Sequence, residues 1–271
     1  MVDILLSTYN GELFLEEQLL SILNNSYKNI RILIRDDGSS DSTKNIINKF
    51  VVSNPDKVLL IEDNKGNIGS TKSFEKLMHY VKSDYFMFCD QDDYWCSSKI
   101  EISLNNLIAL EIKYGENTPC VVFTDLYVVD NKLNKISDSF FKLVGLNPNV
   151  VNDLYKAMAM SVVPGCTMMM NRAVLNYIFP IPKTVIHDFW VVVITIKYGK
   201  VTYLNIPTIK YRQHSNNSIG LALSGKKNIY NKLKKITQWL QVYYDFFSAL
   251  PFKVNYAKFI YWKLYYIFMR L

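Results

Sequence analysis

Apolar runs alternate with helical patterns four times over residues 2–89, and this alternation limits the fold more than any other feature. The runs predict strands at residues 2–6, 30–34, 58–61 and 85–89. Between them, helices are predicted from Glu12 to Asn24-Asn25, over 43–52 with Ser40 or Asp41 as the cap, and over 70–81. Repeated strand–helix units with short loops indicate an α/β protein with a mostly parallel, doubly wound sheet.

The remaining patterns extend this domain around one irregular stretch, residues 130–164. They predict, in chain order, helix 97–114, strands 120–124 and 126–129, a helical piece near 151–160, strand 167–170, helix 187–198, and strands 201–204 and 208–211. A chain of 271 residues is long enough for one large domain with an appendage. We predict a domain at residues 1–222 and a separate helical tail at residues 223–271.

Three carboxylates follow the fourth predicted strand, at Asp90, Asp92 and Asp93. Ligands of open α/β sheets bind beyond the carboxyl ends of the strands, where these side chains would lie. Asp90 and Asp92 point to the same side of an extended chain, and paired carboxylates suit Mg²⁺ or Mn²⁺. The alternative is an acidic loop at a helix start, and we expect Asp93 to be such a cap for the helix beyond Trp95.

Polar side chains also follow the first two predicted strands. Thr8, Tyr9 and Asn10 come after the first strand, and Asp36 and Asp37 come after the second. Since loops at the carboxyl ends of parallel strands share one sheet edge, these side chains are expected beside the acidic group. The sequence has no GxGxxG or P-loop, so the diphosphate charge of a bound nucleotide must be balanced another way, which a metal held by Asp90 and Asp92 would do. Asp37 can accept the N3–H of a pyrimidine, and Tyr9 can lie over its ring.

Basic residues are concentrated in the tail. The net charge is +7, yet residues 226–271 hold nine basic side chains and a single acidic one, Asp245, so the rest of the chain is nearly neutral. The four cysteines lack metal-site spacing, which indicates reduced thiols in a cytoplasmic protein. We expect no signal peptide and no membrane-spanning helix, because no apolar run is long enough.

The tail contains two helical patterns separated by Pro251. Apolar side chains cover one broad face of the first pattern, namely Leu233, Ile236, Trp239, Leu240, Tyr243, Tyr244, Phe246 and Phe247. The second pattern begins near Val254 and is rich in aromatic residues. Apolar-aromatic faces with lysines opposite suit an anionic membrane surface, which predicts a peripheral protein at the inner face of the plasma membrane. The alternatives are packing on the domain or in a homodimer; nucleic acid is not an expected partner, because no basic stripe accompanies the charge.

Several motifs, taken in order, resemble family-2 glycosyltransferases of the GT-A fold. The resemblance covers about residues 2–220, and its order and spacing are similar to the rhamnosyltransferase-like branch, which builds bacterial surface polysaccharide. The motifs are Ser7-Thr8-Tyr9-Asn10-Gly11, Arg35-Asp36-Asp37-Gly38-Ser39-Ser40-Asp41, Gly66-Asn67-Ile68-Gly69, Cys89-Asp90-Gln91-Asp92-Asp93-Tyr94-Trp95, Phe123-Thr124-Asp125-Leu126, Gly165-Cys166-Thr167-Met168-Met169, His187-Asp188-Phe189-Trp190 and Tyr211-Arg212-Gln213-His214.

The resemblance implies a role for each matching residue. Asp188 is the expected general base, and Asp92 and His214 are the expected metal ligands. The implied nucleotide contacts are Thr8, Tyr9, Asn10, Asp37, Asn67, Lys72, Asp90 and Gln91. The implied contacts to the acceptor and donor sugars are Gly165, Cys166, His187, Trp190 and Arg212. Many relatives have glutamate where this chain has His187, which leaves Asp188 as the motif's only carboxylate.

The expected activity is inverting, metal-dependent sugar transfer with Mn²⁺ or Mg²⁺. The expected donor is dTDP-L-rhamnose, and the expected acceptor is a glycan or a lipid-linked glycan. A UDP-sugar is the alternative donor, because Asp37 would read uracil and thymine alike. A nucleotidyltransferase would need a glycine-rich basic loop after the first strand, and a non-catalytic membrane scaffold would not need the carboxylates. The structural alternatives are a helix cap for Asp188, a surface histidine for His214 and a turn residue for Asp37.

Overall fold

A computed structural model describes residues 1–214 and 241–268, which form one sheet with helices on both faces. The strands are β1 (Val2–Thr8), β2 (Ile30–Asp36), β3 (Val58–Leu60), β4 (Tyr85–Cys89), β5 (Tyr94–Trp95), β6 (Cys120–Val129), β7 (Lys135–Ser137), β8 (Met168–Asn171) and β9 (Lys200–Arg212). The helices are α1 (Leu15–Leu23), α2 (Thr43–Ser53), α3 (Ser70–Met78), α4 (Lys99–Tyr114), α5 (Phe140–Val144), α6 (Leu154–Ala159), α7 (His187–Tyr198), α8 (residues 241–249) and α9 (Tyr256–Phe268).

The first half of the sheet is parallel, as the alternation of strands and helices predicted. The strand order is β3-β2-β1-β4-β8-β6-β9-β5, with β7 paired to β6. β1 pairs with β2 from Val2 opposite Ile30 to Thr8 opposite Asp36, and β1 also runs parallel to β4. The ends of β1, β2 and β4 therefore place their loops at one edge of the sheet.

The second half is mixed, which the strand patterns alone did not predict. β8 is antiparallel to both β4 and β6, whereas β9 runs parallel to β6. The two strands predicted on either side of Pro207 are one strand, β9. Its register shifts there, because Leu204 pairs with Thr124 and Pro207 pairs with Asp125, so the two residues between them bulge out.

The irregular stretch holds more structure than expected. It contains β7, α5, a 3₁₀ helix at Pro148–Asn152 and α6. The helical piece predicted near 151–160 is thus divided, and the division falls at Asp153. The Asp153 side chain accepts hydrogen bonds from the backbone N–H groups of Tyr155 and Lys156, which starts a new helix at Leu154.

The core lies on both faces of the sheet. In β4, Phe86 and Phe88 pack into one apolar cluster, and Met87 and Cys89 pack into the other. β4 is therefore buried on both sides, as its unbroken apolar sequence predicted. Because β4 is buried on both sides, the acidic residues that follow it are held in a fixed position.

The described part of the tail packs on the domain. Phe246 and Phe259 are buried in the same cluster as α7, and α9 lies against α6. The packing alternative is thus confirmed for this part of the apolar face. Leu233, Ile236, Trp239 and Leu240 lie outside the described residues. Within the ranges 1–214 and 241–268, the helices are too short or too polar to cross a bilayer.

Candidate active site

The turn after β2 is organised by the Asp36 carboxylate. Asp36 accepts hydrogen bonds from the hydroxyls of Thr8, at 3.0 Å, and Ser39, at 2.5 Å, and from the backbone N–H of Gly38. The backbone N–H of Asn10 donates to the Ser39 hydroxyl at 2.8 Å. These bonds join the loops after β1 and β2 into one unit. Thr8 and Asn10 lie at the predicted edge of the sheet, and both bond to the turn after β2.

Asp37 lies beside this turn and is only 3% exposed. Its Oδ1 accepts from the backbone N–H of Ile68 at 2.7 Å, and its Oδ2 accepts from the backbone N–H of Gly69 at 2.9 Å. Because a carboxylate oxygen can accept two hydrogen bonds, Oδ2 retains capacity for a base N–H. Tyr9 is 50% exposed, and Asn67 is exposed in the loop that Asp37 holds.

Gln91 joins the acidic loop to the loop after β1. Its side-chain Oε1 accepts from the backbone N–H of Tyr9 at 2.8 Å, and its Nε2 donates to the Tyr9 carbonyl at 3.0 Å. A Cβ on Gly11 would lie 2.4 Å from Gln91 Oε1, so any larger residue there would displace the Gln91 amide from this position. The structure therefore places the amide of Gln91, predicted to be a nucleotide contact, against backbone, and indicates a positioning role.

Replacing Gln91 by alanine should weaken nucleotide binding by about tenfold, because two backbone hydrogen bonds that hold Tyr9 are lost. Calorimetric titration with a nucleoside diphosphate measures the change. Gln241→Ala is the control, since the Gln241 amide donates to Asp245 in an exposed part of the tail and makes no other hydrogen bond within the described residues. Equal affinity of Gln91→Ala and wild type would contradict the positioning role.

Asp92 and His214 come together although 122 residues separate them. His214 Nε2 lies 3.0 Å from Asp92 Oδ2, and the His214 ring packs against Phe14 with centroids 4.8 Å apart. Both side chains are partly exposed at the same sheet edge as Tyr9. The alternative of an isolated surface histidine is not supported, because His214 faces the carboxylate predicted to share a metal with it.

Two further carboxylates, of Asp90 and Asp93, form a cluster with Cys166 next to this pair. Ligand atoms of Asp90, Asp93 and Cys166 all lie within 4.8 Å of one another. Asp93 is fully buried and accepts from the backbone N–H of Arg212 at 3.3 Å, whereas the N-terminal cap of α4 is Ser98. The prediction that Asp93 caps this helix is therefore wrong. Burial, together with the charges of Asp92 and Asp90, raises the pKa of Asp93 well above its ordinary value.

The donor chemistry of this site fits a hard divalent cation. Asp92 offers carboxylate oxygen, His214 offers imidazole nitrogen, and Asp90 lies next to them, a combination suited to Mn²⁺ and also acceptable to Mg²⁺. Burial raises the pKa of the Cys166 thiol well above its ordinary value, so Cys166 stays protonated and is a poor ligand for these ions.

Asp188 lies within α7, close to the acidic group. Its Oδ2 accepts from the backbone N–H of Gly165 at 3.1 Å, and its Oδ1 accepts from the backbone N–H of Phe189 at 2.6 Å. A Cβ on Gly165 would lie 3.2 Å from Oδ2, so this approach requires a small residue. The residue before the helix is Ile186, not Asp188, which argues against a capping role. Burial raises the pKa of Asp188 to about 6.

This pKa predicts an acid limit for any reaction that uses Asp188 as a base. The carboxylate is protonated below its raised pKa of about 6, so kcat/KM should fall about tenfold per pH unit below that value and level off above it. Initial rates between pH 4.5 and 8 measure the profile. A flat profile through pH 6 would exclude Asp188 as the group that limits the rate.

His187 is buried beside Asp188 and is neutral. Its ring stacks on Phe74 with centroids 4.2 Å apart and meets the edge of Phe88 at 4.8 Å. Burial lowers its pKa to about 3. Among the described residues, its Nδ1 has no hydrogen-bond partner. His187 therefore leaves Asp188 as the only charged group of this motif.

The structure does not support a substrate contact for three other predicted residues. Trp190 is 2% exposed in the core, and its indole N–H donates to a backbone carbonyl. Arg212 is buried and paired with Glu17, and Lys72 is paired with Glu75. All three make contacts that hold the fold together, and their assignment to sugar or phosphate contacts stays a prediction that these contacts do not support. Cys166 and Gly165 remain beside the carboxylates.

Two buried cations near the site were missed by the sequence analysis. Arg35 precedes the Asp36-Asp37 pair and bonds to Asp37, and Lys99 is fully buried near Asp93 and Cys166. Protonated Lys99 carries a positive charge close to the Asp93 carboxylate, and burial lowers the pKa of Lys99 to about 8. A basic residue within an apolar strand was the available signal for Arg35. Lys99 resembles any lysine in the first turn of a helix.

Two solved structures share this fold. One is S. aureus TarS 1–349 in complex with UDP-GlcNAc, with a TM-score of 0.58 and 16% identity over 96% of this chain and 79% of that chain. Another is the mannosyltransferase PcManGT from Pyrobaculum calidifontis in complex with GDP-Man and Mn²⁺, with a TM-score of 0.55 and 17% identity over 75% of this chain and 54% of that chain. The predicted GT-A fold is confirmed.

Sequence comparison gives the family. The model described as Glycosyl transferase family 2 matches residues 3–179, and the chain belongs to this family of glycosyltransferases. It is similar to the Shigella flexneri dTDP-rhamnosyl transferase RfbG, with 28% identity over 236 residues, 82% of this chain and 75% of that protein. It is also similar to the Escherichia coli UDP-Glc:alpha-D-GlcNAc-diphosphoundecaprenol beta-1,3-glucosyltransferase WfgD, with 26% identity over 249 residues, 91% of this chain and 86% of that protein.

Proposed function

We propose that this glycosyltransferase moves a sugar from a nucleotide donor to a hydroxyl of a glycan or lipid-linked acceptor, with inversion at the anomeric carbon. The observation that carries the proposal is the placement of Asp188. The backbone N–H of Gly165 donates a hydrogen bond to the Asp188 carboxylate. The negative charge of Asp188 adds to burial and to the charge of Asp92 in raising the pKa of Asp90. A single base, Asp188, faces the acceptor, and the leaving group departs on the side of the acidic sheet edge. This arrangement implies a single displacement, which inverts the anomeric carbon.

Each group of the site has a task in this reaction. The acceptor hydroxyl has a pKa far above 7, so Asp188 must take its proton as the oxygen attacks. The backbone N–H of Gly165 fixes Oδ2, and Oδ1 is fixed by Phe189, so the carboxylate is oriented before the acceptor arrives. Asp37 receives the base N–H, and Tyr9 covers the ring.

Asp92 and His214 would hold the divalent cation, with Asp90 directed toward the ribose. The cation supplies positive charge to the departing diphosphate without a proton transfer. GT-A enzymes commonly use such an ion, and PcManGT was solved in complex with Mn²⁺. Since Lys72 and Arg212 are paired with Glu75 and Glu17, they do not replace it.

We propose dTDP-L-rhamnose as the donor and bacterial surface polysaccharide as the product. The relative named as a dTDP-rhamnosyl transferase supports the donor, and the relative named as a UDP-Glc transferase supports the alternative. Release of nucleoside diphosphate from dTDP-L-rhamnose, UDP-glucose and UDP-N-acetylglucosamine, each with Mn²⁺, tests the choice. Faster turnover of a UDP-sugar would overturn the donor assignment, and turnover of none would favour a non-catalytic scaffold.

We also propose that the tail attaches the enzyme to an anionic membrane surface. The side of α9 that faces away from α6 exposes apolar and aromatic residues, among them Ile260, Tyr261, Leu264 and Phe268. Lys258 and Lys263 turn toward the domain, where they meet Asp153 and the carbonyl of Ala159. The tail lysines between residues 226 and 235, outside the described ranges, would supply the remaining charge.

Ile260→Glu with Leu264→Glu should abolish flotation with vesicles that contain anionic lipid, because both side chains are about half exposed on this face. Val52→Glu with Ile112→Glu is the matched control, since Val52 is 80% exposed and Ile112 is 82% exposed elsewhere on the domain. Unchanged flotation of the α9 variant would exclude this face as the anchor. If the variant instead converts a dimer to a monomer in size-exclusion chromatography, the face is a homodimer contact.

A further inference from the structure

The Arg35 side chain is 1% exposed and saturated with hydrogen bonds. Its five N–H groups make five bonds, two to Asp63 at 3.2 and 3.1 Å, one to the Gly66 carbonyl at 3.0 Å, one to Asp37 at 2.6 Å and one to Ser73 at 2.8 Å. Only the planar fork of arginine can satisfy so many partners at once. The partners come from the end of β2, the loop after β3 and the first turns of α3.

The loop at residues 61–69 depends on this network. Arg35 holds its first part through Asp63 and Gly66, while Asp37 holds its last part through the N–H groups of Ile68 and Gly69. The loop contains backbone in the left-handed region at Gly66 (φ 60°) and Gly69 (φ 83°), a conformation that glycine adopts without steric cost. Arg35 and Asp37 thus fix the loop and each other.

We propose that Arg35 is a positioning residue for nucleotide recognition, because it fixes the Asp37 carboxylate and the 61–69 loop as one preformed wall of the base site. This rests on the proposed function, in which Asp37 reads the base. Arg35 does not touch the nucleotide. It holds the Asp37 carboxylate in a fixed direction at the sheet edge, so that binding the base does not have to order the loop.

The chain contains a matched control on the same strand. Arg31 is four residues before Arg35 on β2. It makes a bidentate salt bridge with Asp3, with both bonds at 2.9 Å, which resembles the bidentate pair of Arg35 with Asp63. Asp3 and Arg31 lie near the opposite end of the strands. Arg31→Lys therefore breaks a similar ion pair far from the base site.

The test compares wild type, Arg35→Lys, Asp63→Asn and Arg31→Lys by calorimetric titration with dTDP and with inorganic diphosphate, both with Mn²⁺. Arg35→Lys should weaken dTDP binding by about tenfold or more, because lysine cannot replace the fork, and Asp63→Asn should weaken it in the same direction. Diphosphate binding should not change in either variant, since diphosphate has no base. Arg31→Lys should match wild type for both probes. Amide hydrogen exchange at residues 68 and 69 should accelerate in Arg35→Lys and in Asp63→Asn, but not in Arg31→Lys.

Normal dTDP affinity in Arg35→Lys and Asp63→Asn, with normal binding by wild type, would overturn this inference alone. An equal loss of dTDP and diphosphate would also overturn it, because the damage would then not be specific to the base. If wild type binds diphosphate but gains nothing from the base, Asp37 is not a base reader, and the proposed function fails together with the inference.

Discussion

Asp188→Asn should abolish sugar transfer while nucleotide-sugar binding remains at the wild-type level. Asparagine keeps the shape of the side chain and can still accept from the Gly165 amide, but it cannot take a proton from the acceptor. The expected loss in kcat is about 10²–10⁴-fold, the usual contribution of a general base. Single-turnover rates with saturating donor measure the loss, and titration with the nucleotide sugar measures the binding.

Asp153→Asn is the control for a purely structural role. Asp153 also accepts from two backbone N–H groups, at the start of α6, and it lies outside the site. If Asp188 only stabilised its helix, both variants would lose a little stability and keep activity. Normal turnover in Asp188→Asn would mean that another group is the base.

Chelation should remove activity by a similar factor. The described part of the site brings carboxylates to the place assigned to the diphosphate, and its nearby cations Lys72 and Arg212 are engaged by Glu75 and Glu17. Without a divalent ion, the acidic edge would repel the leaving group. EDTA should therefore reduce turnover by about 10³-fold or more, and added Mn²⁺ or Mg²⁺ should restore it.

Asp92→Asn tests the predicted metal dependence at a single ligand. It removes one charged ligand beside His214, so the variant should need more Mn²⁺ than wild type to reach half of its maximal rate. Asp56→Asn, at an exposed turn before β3 and therefore at the opposite edge of the sheet, should need no more than wild type. Full activity of wild type in chelator would show that the reaction proceeds without a metal, and the roles of Asp92 and His214 would then be withdrawn.

The sequence predicted the first half of the fold well because its signals are local. The apolar runs of β1, β2 and β4 and the helices between them follow from periodicity and from the preference of parallel strands for helical crossovers. The order of β8, β6 and β9 depends on pairings across long separations, such as Met170 with Val121, which no local pattern encodes. The division of the helix at Asp153 has a local cause, because Asp153 accepts from the N–H groups of Tyr155 and Lys156, and an aspartate before a helix was an available signal.

The site was predicted by residue type and position, but not by contact. The order of strands placed Asp37 and Asp92 at one edge of the sheet, and the family resemblance added Asp188 and His214, of which His214 does meet Asp92. It could not reveal which polar groups are already paired. Gln91 bonds to backbone and Arg212 to Glu17, while Asp93 points inward, and each outcome depends on neighbours more than 80 residues away.

Titration of the wild-type protein with dTDP, with and without Mn²⁺, tests the central claim most directly, because it joins the base reader Asp37 to the metal ligands Asp92 and His214 in one measurement. We predict saturable binding with Mn²⁺ and binding weaker by about tenfold or more without it, because a cation held by Asp92 and His214 would offset the charge of the diphosphate. Equal affinity in the two titrations, or no binding in either, would contradict the account.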